Sequence, residues 1–300
     1  MPPIAIQVHG GAGSPPDLND GCERAAEAGF AVLAGGGSAL DAAIAAVVSL
    51  ENDGRYNAGT GSILRLDGKT IEMDASVMDS EGLIGAVACL QGVGNPVLVA
   101  RRVADTPHVL LSGEGAIAFA RRCGFPEYRP QVTDAAKQRH RRLVERLQQH
   151  APNVLPAAWE GFDLERYWNF GVPYKDVLEA GDTVGAVAVD SRGRYAVASS
   201  TGGSSPMLRG RIGDTPLPGC GFFAGRAGAV GITGIGEEII KRTLARAVYD
   251  RMASGMPAQA ACEDGLRLFP ASVPVGIIAM DANGPAVAAN VPMAAGRAAE

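Results

Sequence analysis

Thr183 and Thr201 are the residues whose types and spacing first suggest chemistry. The runs Thr183–Asp190 and Arg194–Thr201 are rich in Val, Ala and Ser and flank the turn Ser191-Arg192-Gly193, the pattern of a β-hairpin. If Asp190 pairs with Arg194, Thr183 falls opposite Thr201; a two-residue turn at Arg192-Gly193 shifts this by one residue only. Directly opposed residues of antiparallel strands hold their Cβ atoms about 4.5–5.5 Å apart. Either way two threonine hydroxyls meet at the open end of a buried hairpin. Threonine pairs are also ordinary strand neighbours, so the pair by itself fits a functional or a merely structural role.

Two other stretches sharpen the choice. Thr233-Gly234-Ile235-Gly236-Glu237 ends one strand and opens a helix. Glycine there lets a ligand reach backbone N–H groups, and the positive end of the helix favours developing negative charge. That is the arrangement of an oxyanion hole, although a plain strand-to-helix turn reads the same way. Gly210-Arg211-Ile212-Gly213-Asp214 sets an arginine and an aspartate in one loop. They fit a surface ion pair or a clamp for the α-carboxylate and α-amine of an amino acid. The four histidines (His9, His108, His140, His150) suggest no triad, and His9 reads as a structural loop residue.

The elements that must hold these groups follow from patterning. A first strand from Met1 to His9 runs into the loop His9-Gly10-Gly11-Ala12-Gly13. A helix from about Asp20 to Ala34 stops at Gly35-Gly36-Gly37, where glycine takes a left-handed C-terminal conformation. Ser38, with Asp41 three residues on, caps an alanine-rich helix through Val48. Tyr56-Asn57-Ala58-Gly59-Thr60-Gly61 is a second glycine-rich loop. Strands Ser62–Leu66 and Lys69–Met78 are expected around the turn Asp67-Gly68, then a strand Leu83–Gly92 and helices near Pro96–Ala104 and Glu114–Cys123. From Phe125 to Asp182 the chain turns to Arg, Gln, Glu, Trp and Pro and reads as a surface linker. Beyond the hairpin, strands Gly221–Gly225 and Ala229–Thr233 precede helices Glu237–Ser254 and Ala258–Leu268. Strands Val275–Asp281 and Ala286–Asn290 follow. Strands and helices come in runs without βαβ alternation, which predicts an α+β fold of sheet layers covered by helices.

Composition narrows the functional classes. With 300 residues, 47% of them hydrophobic, the chain can bury a large core. Forty glycines and 5% aromatics imply tight turns and small interior side chains. A net charge of −5 argues against nucleic acid as a partner. No run approaches the roughly 20 apolar residues of a membrane span, and the first residues read as a strand, not a signal peptide. The five scattered cysteines imply neither a disulfide framework nor a zinc site, so a cytoplasmic protein is expected.

Six runs in order resemble the plant-type (type 2) asparaginases, also called isoaspartyl peptidases, a family of Ntn-hydrolases. They are His9–Gly13, Tyr56–Gly61, Asp182-Thr183-Val184-Gly185-Ala186-Val187-Ala188, Ser200-Thr201-Gly202-Gly203, Gly210-Arg211-Ile212-Gly213-Asp214-Thr215-Pro216 and Thr233–Glu237. The resemblance implies a four-layer αββα sandwich and self-cleavage between Asp182 and Thr183. Residues 1–182 would form an α chain and 183–300 a β chain of one structural domain, and two such heterodimers would pair. It implies that Thr183 is the nucleophile, its new α-amine the base; an unperturbed α-amine pKa of about 7.7–8.0 suits that task. Thr201 would tune Thr183, Asn57 would sit beside it, and Thr233 with the Gly234 N–H would stabilise the oxyanion. Arg211 would bind the substrate α-carboxylate and Asp214 the α-amine. The carbonyls of Leu50, Glu51, Asp53, Tyr56, Ala58 and Thr60 match the family loop that holds a structural sodium ion; no other cofactor is implied.

The chain also departs from the family pattern. Asp182, where relatives commonly have Gly, gives an Asp-Thr junction closer to the glycosylasparaginase branch, and Asn290-Val291-Pro292-Met293 replaces a more polar segment. The expected reaction is hydrolysis of L-asparagine and β-aspartyl dipeptides, with N4-(β-N-acetylglucosaminyl)-asparagine the alternative substrate. A nucleotide-binding protein is the distant alternative, since His9–Gly13 lacks G-x-G-x-x-G spacing and no Walker lysine follows.

Overall fold

The computed structural model describes residues 3–128, 162–163, 166–170, 183–204 and 207–300. Most of the expected linker, and Asp182 with it, lies outside the described residues. Eleven strands and seven α-helices are found among those described. The strands of the first half are β1 (Ala5–Ala12), β2 (Met73–Asp79), β3 (Ile84–Leu90) and β4 (Leu110–Ser112). Those of the second are β5 (Val184–Val189), β6 (Tyr195–Thr201), β7 (Phe222–Gly225), β8 (Gly228–Gly234), β9 (Val275–Asp281), β10 (Gly284–Ala289) and β11 (Met293–Ala299). The helices are α1 (Asn19–Ala34), α2 (Ala39–Asn52), α3 (Pro96–Val103), α4 (Gly113–Arg122), α5 (Gly236–Arg242), α6 (Leu244–Ala253) and α7 (Ala258–Leu266).

Two sheets result: a seven-stranded one in the order β11-β1-β5-β6-β2-β3-β4 and a four-stranded one in the order β10-β9-β8-β7. Only β3 and β4 run parallel; every other pair is antiparallel. The α+β class is thus as the patterning predicts.

The β5–β6 hairpin is buried on both faces, which explains its nearly continuous apolar sequence. Val184, Ala186 and Ala188 pack with helix residues such as Ala43, Val47 and Leu50. Their alternates Val187 and Val189 join Phe222, Ala224, Ile278 and Met280 of the smaller sheet in a second cluster. A third binds β8 and β9 to Leu244, Val248 and Cys262 of α6 and α7. By the period of two, Thr183 and Thr201 lie on the face where the two sheets meet.

Several elements differ from the sequence reading, each for a physical reason. His9 lies inside β1, paired with Gly185 and Ala295, not in a loop; the irregularity comes later, between His9 and Ala12. The Asp67-Gly68 turn forms, but Ser62–Leu66 is not a strand and β2 begins only at Met73. There the Ile63 N–H is taken by the Asn57 side chain and Arg65 is drawn into a buried ion pair, so no partner strand is needed. The helix expected from Glu237 to Ser254 breaks at Thr243, which adopts φ +44°. Helix α2 continues to Asn52, its Ser38 cap accepting the Asp41 N–H as expected. Strands β4 and β11 add to the expected set. Among the described residues no helix is long and apolar enough to cross a membrane.

Candidate active site

The hairpin has the register that its turn predicts. Val184 pairs with Ser200 and Val189 with Tyr195, closed by an Asp190 N–H bond to the Arg194 carbonyl at 3.0 Å. One step further, Thr183 Oγ1 donates to Thr201 Oγ1 across 3.1 Å. Thr201 is buried and its hydroxyl also accepts the Gly203 N–H at 2.9 Å. Thr183 stays half-buried, so a hydroxyl of fixed direction remains within reach of a ligand.

The second glycine-rich loop grips the far side of this pair. Asn57 donates through Nδ2 to the Gly203 carbonyl at 2.6 Å and to Thr201 Oγ1 at 3.5 Å; its own carbonyl accepts the Gly202 N–H at 2.9 Å. Beneath lies a group that the sequence reading missed. Arg65, fully buried, bonds the Gly202 carbonyl at 2.7 Å, and Glu72 through its carboxylate at 3.0 Å and its carbonyl at 2.7 Å. Glu72 in turn accepts the Gly210 N–H at 2.9 Å. One buried ion pair therefore ties the Thr201 turn to the loop that carries Arg211. A buried charge is tolerated where it is paired and fully hydrogen-bonded; an Arg and a Glu seven residues apart are the only sequence trace of it.

Asp74 was also missed. It faces Thr201 in the β2–β6 register, its Oδ1 accepts the Cys89 N–H at 2.9 Å, and Oδ2 is buried without a partner among the described residues. Burial pushes its carboxyl above the usual range. His9 is likewise buried with neither ring nitrogen bonded among the described residues, and burial lowers its pKa to about 3, so it is neutral at physiological pH.

Thr233 and Gly234 close the smaller sheet's side. Thr233 Oγ1 accepts the Ala12 N–H at 3.1 Å, which links β8 to the end of β1. Gly234 has φ +143°, and a Cβ there would meet the Pro274 carbonyl at 2.3 Å, so only glycine fits. Arg211 and Asp214 are neighbours but not an ion pair. Arg211 binds Glu237 through two bonds of 2.8 Å each. Asp214 is buried, its Oδ2 lacks a partner among the described residues, and burial, the dominant effect, raises its pKa to about 7 against the pull of Arg211.

The carbonyls of Leu50, Asp53, Tyr56 and Ala58, four of the six expected to hold a sodium ion, accept the N–H groups of Asp53, Tyr56, Ala58 and Gly61. A Cβ on Gly59 would lie 2.6 Å from the Glu51 oxygen, and one on Gly61 would lie 2.0 Å from the Tyr56 oxygen. Backbone therefore packs so closely on Gly59 and Gly61 that neither position has room for a side chain. A cavity of about 130 Å³ lies between the two glycine-rich loops, lined by Gly10, Ser14, Tyr56, Asn57 and Ile63. Asp182, the residue before the expected nucleophile, is outside the described residues.

A two-sheet α+β fold with a threonine pair at the end of its central hairpin is the setting of an amide hydrolase, and the chain belongs to the asparaginase family, whose sequence profile matches residues 2–298. It is similar to the plant-type L-asparaginase of Pyrococcus furiosus, 41% identical over 296 residues that cover 94% of this chain and 91% of that protein. The isoaspartyl peptidase/L-asparaginase of Danio rerio is 39% identical, covering 95% and 87%. That of Macaca fascicularis is 39% identical over 272 residues, covering 88% and 81%.

Proposed function

We propose that this protein is a threonine amidohydrolase that frees its own nucleophile by cleaving the Asp182–Thr183 bond. It then hydrolyses L-asparagine and β-aspartyl dipeptides. The observation that carries the reading is the 3.1 Å contact between the Thr183 and Thr201 hydroxyls at the open end of the hairpin. The names of the relatives, L-asparaginase and isoaspartyl peptidase/L-asparaginase, support the substrate class.

In the precursor, Thr183 Oγ1 attacks the Asp182 carbonyl carbon and the acyl group moves from nitrogen to oxygen. Water then hydrolyses the ester, leaving an Asp182 carboxylate and a free Thr183 amine. In the mature enzyme that amine, neutral in useful fraction near pH 7.7–8.0, removes the hydroxyl proton as Oγ1 attacks the substrate amide carbon. The Gly234 N–H and Thr233 stabilise the oxyanion. The leaving ammonia, or amino acid, takes the proton back as the C–N bond breaks, and water resolves the ester on Thr183. Arg211 holds the α-carboxylate and Asp214 the α-amine. Thr201 keeps the nucleophile oriented, and Asn57 braces the turn behind it. A sodium ion on the carbonyls of Leu50, Glu51, Asp53, Tyr56, Ala58 and Thr60 would stiffen the loop that carries Asn57.

The three packed clusters support a four-layer αββα sandwich of the Ntn-hydrolase type. Residues 1–182 and 183–300 are the α and β chains of one domain, and two heterodimers pair. Five unpaired cysteines suit a reducing cytoplasm. The reading is tested by incubating the matured protein separately with L-asparagine, a β-aspartyl dipeptide and N4-(β-N-acetylglucosaminyl)-asparagine. Ammonia from the first and a free amino acid from the second are expected. Preferential turnover of the third would replace the reading with glycosylasparaginase.

A further inference from the structure

An arginine has two forked edges that can hold a carboxylate, one formed by Nε and Nη2 and one by Nη1 and Nη2. In Arg211 the first edge is filled: Nε donates to Glu237 Oε1 and Nη2 to Oε2, each at 2.8 Å. No bond to Nη1 is found among the described residues. The second edge lies against backbone that carries no side chain. A Cβ on Gly213 would sit 2.7 Å from Nη1, and one on Gly236 would sit 2.7 Å from Nη2 and 3.0 Å from Asp214 Oδ1. Asp214 Oδ2, within the same electrostatic reach of Arg211, is buried without a hydrogen-bond partner among the described residues.

We propose that Glu237 is a positioning residue that prepares both substrate anchors at once. By taking the Nε–Nη2 edge, it fixes the guanidinium against Gly213 and Gly236 and leaves the Nη1–Nη2 edge for an α-carboxylate. It also keeps the guanidinium from swinging onto Asp214, which would cancel the two anchors against each other. Asp214 stays an unpaired acceptor for an α-amine. The specificity for substrates with both a free α-amine and a free α-carboxylate thus depends on a third residue that touches neither. The inference rests on the reading of Arg211 and Asp214 as an amino-acid clamp.

The test compares wild type with Glu237→Ala and Glu237→Gln on L-asparagine, with L-aspartate as competitive inhibitor. Glu237 is more than half exposed, so both variants are expected to fold. Self-cleavage at the wild-type rate and a kcat within about twofold are expected, because a positioning effect on ground-state binding appears in KM. The KM for L-asparagine and the Ki of L-aspartate should both rise about tenfold or more in the Ala variant. Glu237→Gln, which keeps one acceptor oxygen, should fall between. Unchanged KM and Ki would make the ion pair a mere surface feature and overturn the proposal. A lower KM would overturn it the other way, because Glu237 would then compete with substrate. If wild type itself fails on L-asparagine, the clamp reading is what has failed.

Discussion

At the scale of the residue, the site stores its binding potential as buried, incompletely paired charge. Asp214 shows what this costs. Burial raises its pKa to about 7 from the ordinary 3.8. A carboxyl with a raised folded-state pKa contributes most to stability below its unfolded pKa, and that contribution is lost as pH rises through the folded value. Asp214→Asn should therefore melt higher than wild type at pH 8, with the gap closing toward pH 4. The same variant should lose L-asparagine affinity by at least about a hundredfold, the usual cost of removing one charge-assisted partner. Wild-type KM should rise as pH drops below about 7, since the protonated carboxyl cannot pair with an ammonium. Melting curves and KM against pH check both arms; a variant no more stable than wild type at pH 8 would show that Asp214 is not strained. Thr183 and Thr201 were legible in sequence because a short turn fixes hairpin register. Arg65, Glu72 and Asp74 were not, because the bonds that use them join segments up to 138 residues apart.

At the scale of the element, the turns were easier to read than the strands and helices beside them. Ser38 announced α2 through its own capping bond, and Asp67 made its turn although Ser62–Leu66 is no strand and β2 begins only at Met73. Strand β11 escaped notice because Met293–Ala299 is mostly alanine and glycine, and pairing with β1 overrides its weak propensity. The break between α5 and α6 was invisible for the opposite reason: apolar periodicity continues through Thr243. A β-branched residue at φ +44° and ψ +51° costs about 1–2 kcal/mol. Thr243 is exposed and its hydroxyl bonds only the adjacent Arg242 carbonyl among the described residues. Thr243→Asn, which tolerates that conformation, should stabilise the protein by roughly 0.5–1 kcal/mol. Chemical denaturation would measure it, and a loss of stability would mean that the break is held by contacts the side chain makes.

At the scale of the whole molecule, the order β11-β1-β5-β6-β2-β3-β4 is the feature no single segment could foretell. Strands from before and after residue 183 interleave: β11, β5 and β6 come from the second half, and β1, β2, β3 and β4 from the first. Scission before Thr183 cuts no ladder bond, and the β5–β6 hairpin remains clamped between β1 and β2. The two fragments should accordingly elute as one species in native size-exclusion chromatography and separate only in denaturant. Fragments that part under native conditions would contradict a single interdigitated domain.

The central claim is that Thr183 releases itself as the nucleophile. Intact-mass analysis of wild type and Thr183→Ala after incubation at neutral pH tests it most directly. Wild type should yield fragments of residues 1–182 and 183–300, and the variant an uncut chain. Cleavage of the variant at the same bond, or an uncut wild type that nonetheless hydrolyses L-asparagine, would contradict it.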